Sequence, residues 1–269
     1  MRKVFFLLPA YNEEESIVPV ITGILNDSGL KKTFIKIIIC DDGSTDATAE
    51  VTRRLIAEGS PIELIQHKMN RGLGETVRDL LETAADQADD DDLIIRLDCD
   101  ATHEARFVGD MLKKIDAGAD VVIASRFVEG GGQVGVVGFR AMLSRLATLF
   151  MRLFFRIPGI SEYTCGYRCY RASLIKKAIR AYGNELIQLK GLGFVCTLEK
   201  LVKLALLDAK FAEVPFVLRY DKKMSSSKMV ANVTTLGYLV LVLLYYWPFG
   251  GWIFRRDELI RRITENQVG

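Results

Sequence analysis

The first 125 residues alternate short apolar runs with amphipathic stretches, and this pattern restricts the fold more than any other feature of the sequence. The apolar runs are rich in β-branched residues and too short for helices. Strands that are apolar along their whole length and separated by helices form a mostly parallel sheet covered on both faces. We therefore predict an α/β fold with strands at 4–8, 35–40, 62–67, 93–97 and 121–124, and helices at 14–25, 47–57 and 74–88.

Polar or glycine-rich segments follow the predicted strands, at the sheet edge where ligands of parallel sheets bind. They read PAYNEE, DDGSTD, KMNRGLG, DCDATHE and SRF. In the fourth, Asp98 and Asp100 place two carboxylates one residue apart, an arrangement that holds a hard divalent cation shared with substrate phosphates. The sequence has no GxxxxGK[ST] loop, no GxGxxG after the first strand and no GxSxG elbow, so it lacks the motifs of P-loop, dinucleotide-binding and α/β-hydrolase proteins.

Charge divides the chain into two unlike halves. Residues 1–138 contain 15 Lys and Arg against 25 Asp and Glu, whereas residues 139–269 contain 21 against 9, so the net charges are −10 and +12. This polarity indicates an acidic, metal-binding first half and a second half that faces anions such as phosphates or lipid headgroups. The five cysteines form no CxxC pair, which favours reduced thiols in a cytosolic compartment.

Residues 139–157 predict an amphipathic helix. Arg145, Arg152 and Arg156 fall on one stripe at helical spacing, and the opposite side is apolar, with Leu143, Leu146, Phe150, Leu153, Phe154 and Ile157. A cationic stripe beside a wide apolar face is typical of a helix that lies in a membrane interface. A surface helix packed on the protein core has the same pattern, so this alternative stays open.

Residues 229–254 carry no charge and are long enough to span a bilayer. Polar residues weaken one end of this segment, Pro248 and two glycines interrupt the other, and basic clusters flank both ends. A single crossing would put one of these clusters on the wrong side of the membrane, so a re-entrant or in-plane segment is favoured. The alternative is a buried core or oligomer-interface helix.

The motifs LPAYNEEES, DDGSTD, NRGLG, DCD, ASRF, CGYR and AEVPF, in this order, resemble those of family 2 glycosyltransferases with the GT-A fold. The similarity covers about residues 4–228 and is greatest to the polyprenyl-phosphate branch, of which dolichol-phosphate mannose synthases are typical. It implies inverting transfer of a sugar from a nucleoside diphosphate, as GDP-mannose or a UDP-hexose, to a dolichyl or undecaprenyl monophosphate. Mg²⁺ or Mn²⁺ is the implied cofactor.

The resemblance also implies the organisation of the chain and its partners. Residues 1–228 would form the GT-A catalytic domain, and residues 229–269 an apolar membrane-associated segment with a basic tail. The enzyme would act at the cytoplasmic face of a membrane, as a peripheral, monotopic or re-entrant protein. Its expected partners are the nucleotide sugar, the polyprenyl phosphate and the membrane surface, without nucleic acid; a homo-oligomer is left open.

Roles for single residues follow from the resemblance. The metal would be held by Asp98 and Asp100 together with Thr102, and the acceptor phosphate by Arg126 and Arg140 together with Ser144. Asp98, Asp100, Arg126 and Arg140 form the implied catalytic set. The nucleotide sugar would be bound by Pro9, Tyr11, Glu13, Cys40, Asp42, Cys99, Lys222 and Lys228.

Three positions depart from the family's usual pattern. Thr102 replaces a Gln, Glu162 replaces an Asp, and Lys222 replaces an Arg whose role Arg219 would otherwise take. A lipid phosphate is an anion near neutral pH and needs no strong base, whereas a sugar or small-molecule hydroxyl would need one, for which Glu162 is the candidate. Besides such a hydroxyl transferase, a catalytically silent GT-A scaffold that binds lipid is a second alternative.

Overall fold

A central sheet organises the computed structural model, which describes residues 2–31, 33–136, 138–225 and 231–245. The strands are β1 (Lys3–Ala10), β2 (Phe34–Asp41), β3 (Ile62–Gln66), β4 (Leu93–Arg96), β5 (Val121–Ser125), β6 (Gly132–Val134), β7 (Arg168–Arg171), β8 (Phe211–Pro215) and β9 (Val217–Arg219). In the described ranges, seven of them form one sheet in the order β3-β2-β1-β4-β7-β5-β8, and β6 pairs with β9. This confirms the predicted α/β fold.

Helices cover both faces of this sheet. They are α1 (Ile17–Leu25), α2 (Thr48–Ala57), α3 (Leu73–Gln87), α4 (Val108–Asp116), α5 (Gly138–Phe154), α6 (Ala172–Tyr182), α7 (Val195–Leu206) and α8 (Ala231–Tyr245). The side chains of β1 alternate between the two faces, since Phe6 and Leu8 pack with α1 and α4, whereas Phe5 and Leu7 pack with α3, α6 and α7. The core therefore lies in two layers around a sheet that is buried on both sides.

Strand β7 was not predicted, and it is the one strand that runs antiparallel to its neighbours in the described sheet. Its sequence, RCYR, is short and contains two arginines, so it lacks the apolar run by which the other strands are recognised. Arg168 is nevertheless fully buried, because its guanidinium donates to the carbonyls of Tyr163, Cys165 and Thr197. The reversed direction brings the loop before β7 to the edge where β1, β2, β4 and β5 end.

Helix α5 packs differently from the predicted helix over residues 139–157. It ends at Phe154, and its core side is formed by residues such as Thr148 and Met151. Leu146 and Leu153, predicted to lie opposite the arginines, are exposed on the same side as them. The outer face of α5 is therefore cationic and apolar at once, as it combines Met142, Arg145, Leu146, Leu149, Arg152 and Leu153.

Helix α8 is formed by part of the uncharged segment 229–254. It buries Leu241 and Tyr245 against the core and exposes Leu236, Leu239 and Leu243. It contacts α5 and α7. No helix within the described residues combines the length and apolar character needed to cross a membrane. The rest of the predicted membrane-associated segment, residues 229–230 and 246–269, lies outside the described residues, so the domain division at residue 228 stays a prediction.

Candidate active site

A cavity of about 1090 Å³ opens at the edge of the sheet where β1, β4 and β5 end. Most predicted site residues line this cavity, although they come from separate segments: Pro9, Tyr11, Glu13, Asp42, Asp98, Cys99, Asp100, Thr102, Arg126 and Ser144. Parallel strands end at a common edge, which is why residues far apart in sequence meet here. The side chain of Arg140 and the whole of Lys228 lie outside what the structure describes, so their roles stay predictions.

Two side chains, those of Arg96 and His103, hold Asp98 in place. Its Oδ1 lies 2.5 Å from Nη2 of Arg96, whose side chain is buried on β4. The backbone N–H of Asp98 donates to Nδ1 of His103 at 2.9 Å, and the His103 ring stacks on Tyr167. Burial lowers the pKa of His103, so the neutral imidazole that accepts this bond is favoured. His103 thus supports the backbone at Asp98.

Asp100 is held at both carboxylate oxygens. Thr102 donates to Oδ1 through its backbone N–H at 3.2 Å and its hydroxyl at 2.6 Å. The ammonium of Lys223 binds Oδ2. Burial acts to raise the pKa of Asp100, but nearby positive charge and these hydrogen bonds outweigh it, so the pKa lies below its ordinary value. Asp100 is therefore an ionised carboxylate at neutral pH.

Of the neighbouring lysines 222 and 223, Lys223 lines the cavity, whereas the predicted Lys222 does not. Lys222 extends along the surface to Glu104, with 2.6 Å between the charged atoms. Arg219, the alternative, pairs with Asp221 at 2.7 Å, also at the surface. In the family's pattern the basic residue lies six positions before a lysine, and counting back from Lys228 selects residue 222. The turn at Tyr220–Lys222 instead directs the next side chain inwards, and nothing in the sequence signals this offset of one residue.

Asp42 organises the glycine-containing loop beside it. Its Oδ1 accepts from the backbone N–H of Arg71 at 2.8 Å and contacts Nδ1 of His67 at 2.7 Å, and its Oδ2 accepts from Gly72 N at 2.9 Å. Cys40 lies beneath this group, fully buried, with its Sγ 3.5 Å from the His67 ring. Asp42 lines the cavity as predicted, whereas Cys40 belongs to the core below it and does not line it.

Arg126 and Glu162 form a buried bidentate ion pair. Arg126 donates to the two carboxylate oxygens at 2.7 and 2.9 Å, and to the hydroxyls of Thr164 at 2.7 Å and Ser144 at 3.2 Å. Glu162 also accepts from the backbone N–H groups of Thr164 and Cys165. Burial acts to raise the pKa of Glu162, but the Arg126 charge and the hydrogen bonds hold it below its ordinary value. Glu162 thus positions Arg126 at the cavity wall.

Part of the cavity lining is apolar. This part is formed by two helices in contact with each other, with Leu146, Ala147 and Phe150 from α5 and Val233, Tyr238 and Leu239 from α8. This wall adjoins Arg126 and Ser144, so one continuous cavity contains a carboxylate-lined end, a buried guanidinium and an apolar end. The sequence predicts both segments as apolar, but its local pattern does not show that they line one cavity.

Two carboxylates with a neighbouring hydroxyl, at Asp98, Asp100 and Thr102, suit Mg²⁺ or Mn²⁺. Such ions are commonly held by one or two protein carboxylates and completed by water and substrate phosphates. In the described part of the chain, no group of three or more His, Cys, Asp or Glu side chains is arranged to hold a metal. The donor set therefore fits a metal that is shared with a bound diphosphate, and not a closed structural site.

The sequence matches a known family over most of its first two thirds. The family described as glycosyl transferase family 2 matches residues 6–179. An undecaprenyl-phosphate mannosyltransferase from Micrococcus luteus is 28% identical over 243 residues, which cover 87% of this chain and 94% of that protein. A dolichol-phosphate mannosyltransferase from Pyrococcus furiosus is 27% identical over 80% of this chain, which spans only 56% of that longer protein.

Solved structures with similar folds have lower sequence identity. Glucosyl-3-phosphoglycerate synthase from Mycobacterium tuberculosis, in complex with Mn²⁺, UDP and phosphoglyceric acid, aligns with a TM-score of 0.60 and 17% identity, covering 90% of this chain and 78% of that one. Residues 1–349 of TarS from S. aureus align with a TM-score of 0.56 and 16% identity, covering 98% of this chain and 71% of that one. At such identities the similarity concerns the fold.

Proposed function

This chain belongs to glycosyl transferase family 2, and from that premise we propose that it transfers a hexose, mannose first among the candidates, from a nucleoside diphosphate to a polyprenyl monophosphate. The named relatives support this choice, because one is an undecaprenyl-phosphate mannosyltransferase and another a dolichol-phosphate mannosyltransferase. The same family membership makes the chain a glycosyltransferase with the GT-A fold.

The observation that carries the proposal is the single cavity with two chemically different ends. A nucleotide sugar is polar and anionic, which suits the end lined by the metal-binding carboxylates and by Asp42. A polyprenyl phosphate joins an anionic head to a long apolar chain. The buried Arg126 beside the apolar wall between α5 and α8 offers a contact for each part of such a molecule.

On the donor side, the chain's own residues hold the leaving group. Asp98 and Asp100, with Thr102, would bind the divalent ion, and such an ion would neutralise the charge that develops on the departing diphosphate. The structure of a related fold with Mn²⁺ and UDP supports this use of a metal. The remaining nucleotide contacts are proposed for Tyr11, Glu13 and Asp42, which line the same end.

On the acceptor side, Arg126 would bind the lipid phosphate and align one of its oxygens with the anomeric carbon. The new bond forms from that oxygen to the anomeric carbon as the bond to the diphosphate breaks, which inverts the configuration. A phosphate oxygen is already charged, so no protein base is required. The alternative base, Glu162, is fully buried and bound to Arg126, which favours a phosphate acceptor over a hydroxyl.

The surface around the apolar end suits contact with a membrane. The outer face of α5 presents arginines beside exposed leucines, and α8 exposes Leu236, Leu239 and Leu243. Apolar side chains that enter the headgroup region together with cationic ones are typical of interfacial helices. We propose that these two helices rest on the membrane from which the lipid acceptor enters the cavity, so that the protein acts peripherally.

The test is donor turnover by the purified full chain with Mn²⁺ or Mg²⁺. GDP-mannose and UDP-hexoses are supplied with and without a short polyprenyl phosphate, and both nucleotide release and transfer of labelled sugar to the organic phase are followed. Labelled lipid is the expected product. Nucleotide release that does not depend on the lipid and leaves it unlabelled would contradict the proposed acceptor.

An asparagine substitution in the proposed metal site is compared with a control substitution outside it. Asp100→Asn is expected to reduce transfer at least about a hundredfold, because it removes a metal-binding charge. Asp110→Asn removes an exposed carboxylate of α4 that pairs with Lys113, and it is expected to stay within about twofold of the unsubstituted chain. Full activity of Asp100→Asn would show that Asp100 does not hold the metal.

A further inference from the structure

Each carboxylate of the metal-binding doublet already has a cation of the protein beside it. Arg96 binds Asp98 from within the core, and Lys223 binds Asp100 from the cavity side. The two cations differ in how they are held. Arg96 is buried on a strand, and its Nη1 lies so close to Gly166 that a Cβ there would collide with it. Lys223 belongs to residues 219–225, a segment outside the main sheet.

This segment lies across the carboxylate end of the cavity and is attached to it at separate points. The backbone N–H of Arg219 donates to the Thr102 carbonyl at 3.3 Å. Ser225 Oγ donates to Oε1 of Glu13 at 3.0 Å. Between these points, Lys223 reaches Asp100 with a side chain that is 11% exposed. The segment therefore inserts its cation into the site through a long, flexible side chain.

The oxygen that Lys223 binds is the one a metal would use. Thr102 donates twice to Oδ1 of Asp100, which leaves Oδ2 as the oxygen available to a cation, and the Lys223 ammonium binds that oxygen. An ammonium and a divalent cation at one carboxylate oxygen repel each other strongly in a partly buried site. The two cannot both be bound there at full strength.

We propose that Lys223 is a resident counter-cation of Asp100 that a divalent metal must displace, so that this side chain weakens metal binding to the nucleotide-free protein. The inference rests on the metal site of the proposed function. In the metal-free protein Lys223 neutralises the Asp100 carboxylate, as Arg96 does that of Asp98. When a metal takes its place, the ammonium becomes available to the anionic diphosphate that arrives with the metal.

The experiment is a titration of the full chain with Mn²⁺ alone, with no nucleotide sugar, in which free Mn²⁺ is measured by electron paramagnetic resonance. Lys223→Met is expected to bind Mn²⁺ about tenfold more tightly than the unsubstituted chain, because a competing charge within contact distance is removed. Lys223→Arg retains the charge and is expected to bind as weakly as the unsubstituted chain.

The matched control is Lys222→Met, which makes the same change one residue earlier, where the ammonium pairs with Glu104 at the surface. It is expected to change Mn²⁺ affinity by less than about twofold, because an exposed charge is screened. Equal or weaker Mn²⁺ binding by Lys223→Met would overturn the inference.

A second outcome separates this inference from the proposed function. Asp100→Asn is expected to lose most Mn²⁺ binding. If it does so while Lys223→Met binds as the unsubstituted chain does, the metal site stands and the role of Lys223 is wrong. If Asp100→Asn retains full Mn²⁺ affinity, the metal is not at Asp100, and both the site and the inference fail.

Discussion

Arg126 and Glu162 have side chains that are 9% and 0% exposed, and each satisfies the charge of the other. A charge so deeply buried is costly unless it is paired, so removing one partner leaves the other uncompensated. Exposed pairs behave differently, because water screens both members. Burial therefore requires Arg126 and Glu162 to stay paired, and the contribution of this pair to stability can be measured.

Glu162→Ala is expected to lower the free energy of unfolding by about 3 kcal/mol, because the Arg126 guanidinium stays buried without its partner. The control is Asp221→Ala at the exposed Arg219–Asp221 pair, for which a much smaller loss is expected because water screens both charges. Denaturant unfolding of both variants measures the difference. Similar losses for the two variants would show that burial does not strengthen the Arg126 pair.

The Glu162 carboxylate also makes the stability of the fold depend on pH, and its lowered pKa gives the direction of this dependence. The pKa of Glu162 is lowered from an ordinary value of 4.5, so the folded protein binds its proton less readily than the unfolded chain does. The stabilisation is complete above pH 4.5 and is lost as the pH falls through the lowered value. Unfolding measured from about pH 6 to about pH 3 is expected to show a shallower loss of stability for Glu162→Gln. Parallel curves would contradict this assignment.

At the scale of elements, the start of α3 is fixed by a close backbone contact. A Cβ on Gly74 would lie 2.5 Å from Cα of Lys190, in the segment that leads to α7. Only a glycine at this position lets the two backbone segments approach so closely. Gly72, with a φ of 89°, lines the cavity and supplies the turn before the helix.

Two glycines in helices offer a matched comparison. Gly74→Ala is expected to destabilise the protein by about 1–3 kcal/mol, because backbone atoms must move to admit the methyl group. Gly23→Ala in α1 meets nothing within 4 Å and is expected to stabilise by about 0.5–1 kcal/mol through helix propensity. Thermal or denaturant unfolding measures both. A stabilising Gly74→Ala would show that the contact with Lys190 is easily relaxed.

For the whole molecule, exposed positive charge and exposed apolar side chains coincide on the outer face of α5. The first half of the chain is acidic and supplies the carboxylates of the cavity, whereas the second half is basic and supplies α5 with its exposed arginines and leucines. An arrangement of this kind orients a protein on an anionic membrane before any apolar side chain is inserted. In the membrane-bound orientation proposed above, the apolar end of the cavity would face the lipid phase.

The double change Leu149→Ser and Leu153→Ser is expected to weaken binding to anionic vesicles by at least about tenfold, because two leucines no longer enter the apolar region. These side chains are 65% and 66% exposed, so folding is expected to be unaffected. Phe34→Ser is the control, as it removes an exposed aromatic ring at the amino end of β2. Vesicle sedimentation is the measurement, and equal binding by all three proteins would contradict the role of α5.

The alternation of apolar runs and amphipathic stretches was enough to predict the α/β fold, because strand and helix periodicities are local properties of the sequence. The order of the strand-end motifs was enough to indicate the family. That Asp42, Asp98, Asp100 and Arg126 share one cavity also followed from sequence, since parallel strands end at a common edge.

Other features depended on contacts between residues that are far apart along the chain. Lys223 and Asp100 are 123 positions apart, and no local pattern distinguishes Lys223 from Lys222. The antiparallel insertion of β7, the burial of Glu162 against Arg126 and the apolar wall between α5 and α8 are of the same kind. Periodicity determines which residues face a core, but only the packed chain determines which charges are paired and which face a ligand.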